Sequence, residues 1–169
     1  MTARRVLFYT PEAIAGVDEA LVNPAISDLA GLVKNAEAVI WWAAGAPLGS
    51  QAQPIQVHDH LRLLAGEPAL IGPHFVAMHH AYDLDLGRAL LDELGLKEWE
   101  NGIVADVPHA TALSPAERAM LAGMGAHWAI RGATAATIAA RQKGLPVAGF
   151  ACEAETLEKA LRLMRGRWW

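Results

Sequence analysis

Four of the seven histidines fall in two tight pairs, His58-x-His60 and His79-His80, and paired imidazoles could ligate a metal or move protons near neutral pH. A zinc-like centre needs three or four ligands at a recognised spacing. Neither a Cys/His framework nor a carboxylate-rich pattern accompanies these pairs, so no metal and no cofactor is assigned, and His60 beside Asp59 reads as a hydrogen-bonded histidine over a sheet. His109 and His127 stand isolated. Ser50, Ser114 and Cys152 are the candidate nucleophiles, but Ser114 reads better as a helix cap, Cys152 as a small buried hydrophobe, and no Gly-x-Ser-x-Gly turn exists. Glu153-x-Glu155 reads as a carboxylate pair for acid–base work at a strand end, or as the acidic start of a last helix. No residue earns a catalytic role from type and spacing alone.

These groups need elements to hold them. Residues 6–9 and 38–42 are short β-rich runs, and between them Ile26, Leu29, Ala30 and Val33 recur at helical spacing after Asn23-Pro24. Residues 45–54 read as loop and 58–65 as one or two helical turns ended by Gly66-Glu67-Pro68. Residues 81–94 form a stronger helix, with Leu84, Leu91 and Leu94 inward and Gly95 past its end. Strand character returns at 102–107. Ser114-Pro115-Ala116-Glu117 is a capping box with proline at the first helical position, and that helix stops at Gly123 or Gly125. Then come a strand at 127–130, a helix at 133–143, a buried strand at 146–152 and a final helix at 156–165. Strands alternating with helices predict a three-layer α/β fold, its parallel or mixed central sheet flanked by helices, with ligands at strand ends. The chain reads as one domain over residues 1–169.

Composition narrows the partners. Fourteen Lys and Arg against 18 Asp and Glu give a net charge of −4, which leaves no basic footprint for nucleic acid. No run approaches the roughly 20 apolar residues of a membrane span, and a single cysteine without disulfide prospects suits a reducing cytoplasm. Lys159, Arg162, Arg165 and Arg167 make the last helix basic, as suits a helix C-terminus. Trp168 and Trp169 are costly to leave in water, so they fold back or dock on another chain.

One ordered series of short motifs goes further. Trp42-Ala43-Ala44-Gly45-Ala46 is followed by Asp59-His60-Leu61-Arg62-Leu63, then Glu67-Pro68-Ala69-Leu70-Ile71-Gly72-Pro73, His74-Phe75-Val76-Ala77-Met78 and Ala81-Tyr82-Asp83. Downstream stand Pro115-Ala116-Glu117-Arg118, Leu121, Gly125-Ala126, Ile138-Ala139-Ala140-Arg141 and Gly144-Leu145-Pro146-Val147. In order and spacing this resembles the trimeric purine nucleoside phosphorylase family, with its N-A-A-G-G, D-H-I-N-L, N-P-L-x-G-P, R-F-x-x-M, A-Y-D, T-x-A-E, L-G-A-D, V-I-V-A-R and G-L-R-V motifs, over about residues 30 to 153. The resemblance implies an α/β phosphorylase fold with a mixed sheet. It also implies a homotrimer that binds purine nucleoside or base together with phosphate, and cleaves the glycosidic bond by phosphorolysis.

The same resemblance marks departures. Phosphorolysis needs an anion cradle, a base anchor and a ribose clamp, because charge develops on both the sugar and the leaving base. The family's glycine-rich G-S-G turn and its cradle Arg and His have no counterpart here, so the chain reads as truncated in the N-terminal phosphate-binding half. Leu113 stands where the family has its purine-binding Glu, Glu155 where it has its purine-binding Asn, and Arg131-Gly132 replaces the Met-Ser pair at the ribose. Phe75 matches a phenylalanine that covers a neighbour's ribose across the trimer contact. Ala43, Ala44 and Gly45 match the turn flanking phosphate and base, and Glu117 and Arg141 match scaffold positions on helices. The substrate-binding positions are therefore Ala43, Ala44, Gly45, Phe75, Leu113, Arg131 and Glu155. The reading that follows is a divergent phosphorylase-like protein without ordinary phosphorolysis, acting as a small-molecule binder or oligomeric accessory. Its enzyme-class alternative rebuilds the site on Arg131 and Glu155, with His109 assisting; a third reading is a partner that caps or regulates a full-length phosphorylase.

Overall fold

The computed structural model describes residues 6–9, 37–50, 53–63 and 76–168. Within them seven strands form one sheet: β1 (Val6–Tyr9), β2 (Ala38–Ala44), β3 (Ala46–Pro47), β4 (Ile55–Arg62), β5 (Glu100–Asp106), β6 (Trp128–Ile130) and β7 (Val147–Cys152), in the order β1-β2-β7-β4-β5-β6-β3. Four α-helices accompany it among the described residues: α1 (Leu84–Leu94), α2 (Pro115–Gly123), α3 (Thr134–Gln142) and α4 (Ala154–Trp168). None of the described helices is long and apolar enough to cross a membrane.

The sheet is mixed. β1, β2 and β7 run parallel, as do β4, β5 and β6, and the two sets meet where Ile55–Val57 pairs antiparallel with Gly149–Ala151. β3 lies at the far edge, antiparallel to β6, although Gly45 alone separates it from β2. Such a connection is only open to a sheet that curls back on itself, bringing the end of β2 against β6. Gly45 is what permits the approach: a Cβ there would strike the carbonyl oxygen of Ala129 and lie 3.0 Å from Ile130 Cγ2.

The two faces bury different helices. Val39, Trp41, Ala43, Val104 and Ile130 face α3 through its small residues Ala135, Ala136, Ala139 and Ala140. Ile40, Trp42, Ala148, Phe150 and Cys152 point the other way, against Leu90, Leu91 and Leu94 of α1 and Leu157, Ala160, Leu161 and Met164 of α4. The period-2 alternation along β2 is thus a division between two helix layers, which is why the strand is apolar throughout. Trp42 stacks on Phe150 at a centroid distance of 4.2 Å and meets Trp99 edge-on at 5.4 Å.

Several expectations hold with their reasons. Ser114 Oγ accepts from Glu117 N–H at 3.3 Å while Glu117 Oε2 accepts from Ser114 N–H at 2.7 Å, the reciprocal capping box that opens α2. Gly95 ends α1 at φ 73° and Gly144 follows α3 at φ 70°, both left-handed. One element is corrected: of the helical turns expected at 58–65, the described residues 58–63 are not helical, because β4 runs through Arg62. A bulge between Val57 and Asp59 breaks the alternation there, and pairing of Asp59–Arg62 to β5 overrides the polar local sequence, while β7 holds only Ile55–Val57 on the other side. The helical pattern at 26–33, Trp169 and Phe75 lie outside the described residues.

Candidate functional site

The carboxyl ends of β4, β5 and β6 converge on the N-terminus of α3. Asp106, the last residue of β5, is fully buried there. Its Oδ1 accepts the amide N–H of Gly132 at 2.6 Å, and its Oδ2 accepts the amide N–H and the hydroxyl of Thr134 at 2.9 and 2.6 Å. Helix N-termini carry amides without intrahelical partners and a positive dipole end, so a carboxylate there is stabilised by charge-assisted hydrogen bonds. The donors at the head of α3 are thus taken by a carboxylate of the protein itself. A lone Asp closing an apolar strand carries no spacing signal; only the tertiary approach of α3 reveals its role.

A second polar arrangement reaches from the core to the same end of β4. Trp41 Nε1–H donates to Thr137 Oγ1 at 2.8 Å, Thr137 donates to Tyr82 Oη at 3.5 Å, and Tyr82 Oη lies 3.0 Å from His60 Nδ1. The indole can only donate, whereas Tyr82 Oη and His60 Nδ1 can each donate or accept, so the direction of the last contact follows the histidine tautomer. With Tyr82 donating, the neutral ring carries its proton on Nε2. Burial points the same way: it lowers the His60 pKa below the ordinary 6.5, against the opposing pull of Asp59 and Asp106. Burial also raises the Tyr82 phenol well above its usual value, so the hydroxyl keeps its proton.

The residues singled out by resemblance are distributed around this end unevenly. Ala43 and Ala44 are buried at the close of β2, and Gly45 N–H donates to the Cys152 carbonyl at 3.0 Å while its Cα faces Ala129 and Ile130. That places the Ala43–Gly45 turn beside the end of β6, where Arg131 follows, exposed to solvent. Leu113 sits elsewhere, packed half-buried against the cluster of Ala105, Val107, Ala110, Leu121 and Ala129. Glu155 is exposed in the first turn of α4, on the other side of the sheet, and no ion pair joins it to Arg131 among the described residues. Glu153 is exposed too and its carbonyl accepts from Leu157 N–H at 3.0 Å, as befits a helix start. Cys152 is buried, and desolvation pushes its thiol up to about 12, which keeps it a protonated core residue. His79 and His80 lie exposed on a turn, and no described group of three His, Cys, Asp or Glu could hold a metal ion.

A mixed sheet that curls until β2 meets β6, with helices on both faces and a site at the strand ends, defines an α/β architecture of the phosphorylase kind. Solved structures name it more closely. Schistosoma purine nucleoside phosphorylase in complex with guanosine matches with a TM-score of 0.66 at 19% identity, over 83% of this chain and 67% of that one. The Schistosoma enzyme in complex with hypoxanthine matches at 0.63 and 20% identity, over 82% and 61%. A purine nucleoside phosphorylase in complex with ribose-1-phosphate matches at 0.65 and 20% identity, over 80% and 61%. The chain therefore has a purine-nucleoside-phosphorylase-like fold, and spans about three fifths to two thirds of the length of these proteins. Neither a scan of protein families nor a search of curated proteins returns a match.

Proposed function

We propose that this is a divergent phosphorylase-like protein that binds a nucleoside- or base-like molecule at the Ala43–Gly45 and Arg131 end of the sheet, without ordinary phosphorolysis. The observation that supports this is the buried Asp106 carboxylate, which takes the Gly132 and Thr134 donors at the head of α3. A phosphate seated there would displace those bonds and face a carboxylate at contact distance, where two like charges repel strongly at low dielectric. Leu113, packed among alkyl groups, has no acceptor with which to stabilise a leaving purine, and one missing transition-state hydrogen bond costs about 10²–10³ in rate. An oligomer, a trimer by analogy with the family, belongs to the same reading, and light scattering reads it directly.

The experiment is a thermal-shift titration with inosine, guanosine, hypoxanthine and ribose-1-phosphate, each with and without phosphate, alongside an assay for released base. A nucleoside or base should raise the melting temperature by the same amount in either buffer, with no base released. Phosphate-dependent stabilisation together with turnover would overturn the proposal. The competing reading, a site rebuilt for catalysis, draws on the exposure of Arg131 beside Gly45 and would have to do without Glu155, which lies on the other side of the sheet. Loss of turnover in Arg131→Ala would then be required.

A further inference from the structure

Three buried side-chain nitrogens among the described residues have no hydrogen-bond partner: Trp42 Nε1, Arg62 Nε and Arg141 Nε. Trp42 is enclosed by Phe150 and Trp99, and Arg141 lies at the far end of α3 from Asp106. Arg62 is different in company and in place. It ends β4, and it shares a sheet face with His60 two residues earlier, because strand side chains alternate. Asp106 is its register partner on the neighbouring parallel strand. A guanidinium beside a carboxylate normally pairs with it, but the Asp106 oxygens accept from Gly132 and Thr134 and no Arg62–Asp106 ion pair is present. The other nearby carboxylate, Asp59, is exposed and accepts from the His60 backbone N–H at 2.8 Å. The Arg62 Nε–H is thus a buried, charged donor with no acceptor, a costly arrangement unless something else supplies one.

His60 supplies a second donor at the same spot. Where Tyr82 Oη donates to Nδ1, Nε2–H is the ring edge turned away from Tyr82. In that tautomer two donors, one cationic and one neutral, share one face at the end of a strand and are complementary to a group with two or more acceptor oxygens. We infer that His60 and Arg62 form a binding site for a small oxyanion, a carboxylate or a phosphoryl group, seated at the end of β4 beside the α3 N-terminus and not in it. In the phosphorylase motif resembled by this stretch, D-H-I-N-L, the position of Arg62 is an uncharged asparagine, so the cation is particular to this chain. The site is independent of nucleoside binding, since it uses neither the Ala43–Gly45 turn nor Arg131.

The test is a titration of the full chain with inorganic phosphate, sulfate and acetate at fixed ionic strength, followed by thermal shift and by the Arg62 Nε–H resonance in a ¹⁵N-labelled sample. At least one oxyanion should raise the melting temperature saturably and move the Nε–H signal downfield, whereas chloride should do neither. Phosphate or sulfate acting alone identifies a phosphoryl ligand; acetate acting alone identifies a carboxylate. Arg62→Gln should weaken the effect at least tenfold and Arg131→Gln should leave it unchanged, which separates this site from the nucleoside proposal. Arg62→Lys, which keeps the charge and loses the fork, should fall between. An unmoved Nε–H signal at saturating phosphate, sulfate and acetate overturns the inference without recourse to any variant, and so does an oxyanion response in Arg62→Gln equal to that of the parent.

Discussion

Removing the Asp106 carboxylate tests both the fold and the functional reading. Its oxygens accept three hydrogen bonds, from Gly132 N–H, Thr134 N–H and Thr134 Oγ1, at 2.6–2.9 Å in a fully buried setting. Hydrogen bonds to a charged group are each worth about 1.5–3 kcal/mol, and a buried donor left unmade costs about 1–3 kcal/mol. These values overlap and do not add, and deletion also relieves the desolvation of a buried carboxylate. A net loss of about 2–4 kcal/mol is expected for Asp106→Ala. In a domain of this size each kcal/mol lowers the melting temperature by about 2–4 °C, so the fall should be roughly 5–15 °C. Urea unfolding gives the same quantity as a shift in midpoint at constant m. Asp106→Asn keeps the shape but turns an amide NH₂ toward a donor, and should lose nearly as much as Asp106→Ala. Removing the carboxylate also uncovers the α3 amides, so phosphate should stabilise Asp106→Ala more than the parent. An Asn variant as stable as the parent would refute the reasoning, because it would mean that the α3 donors do not depend on the carboxylate's charge. Equal phosphate response in the two proteins would refute the proposal that Asp106 keeps phosphate from the head of α3.

Other consequences are simpler to read. His60 titrates below 6.5 in the folded chain, so on acidification the unfolded chain takes up its proton first and stability drops at up to about 1.4 kcal/mol per pH unit below pH 6.5, levelling off beneath the folded pKa. In His60→Gln that slope should vanish, and an unchanged pH profile would contradict it. Gly45→Ala forces a Cβ onto the Ala129 carbonyl, so the β2–β6 closure should lose about 1–3 kcal/mol or more in urea; near-neutrality would show that the curl does not rest on that approach. Cys152, buried with its thiol raised to about 12, should react with Ellman's reagent only after denaturation, and rapid labelling of the native protein would contradict its place in the core. Ser114→Ala removes the α2 cap and should cost about 1 kcal/mol, readable as a shift in urea midpoint.

The parts of this molecule that could be read from its sequence are those whose causes are local. The capping box at Ser114 and Glu117 needs only four consecutive residues, and Gly95 and Gly144 mark helix ends because a positive φ excludes most other side chains. β7 is legible as an apolar run because it is buried on both faces, and its six residues need no partner to look like a strand. β4 was not legible, since His58, Asp59 and His60 carry the polarity of a surface turn and are held in a strand through β5, contributed from distant chain. The site divides by the same rule. Ala43–Gly45 could be placed at a strand end from its motif, and the structure adds why glycine is needed there. Asp106 and Arg62 could not be foreseen as a pair, because what sets them apart is the outcome of a competition. They are register neighbours that would neutralise one another in isolation, and α3 takes the carboxylate first. That arrangement ties the two proposals together physically: the Asp106 carboxylate is turned to Gly132 and Thr134, and the Arg62 Nε beside it has no partner.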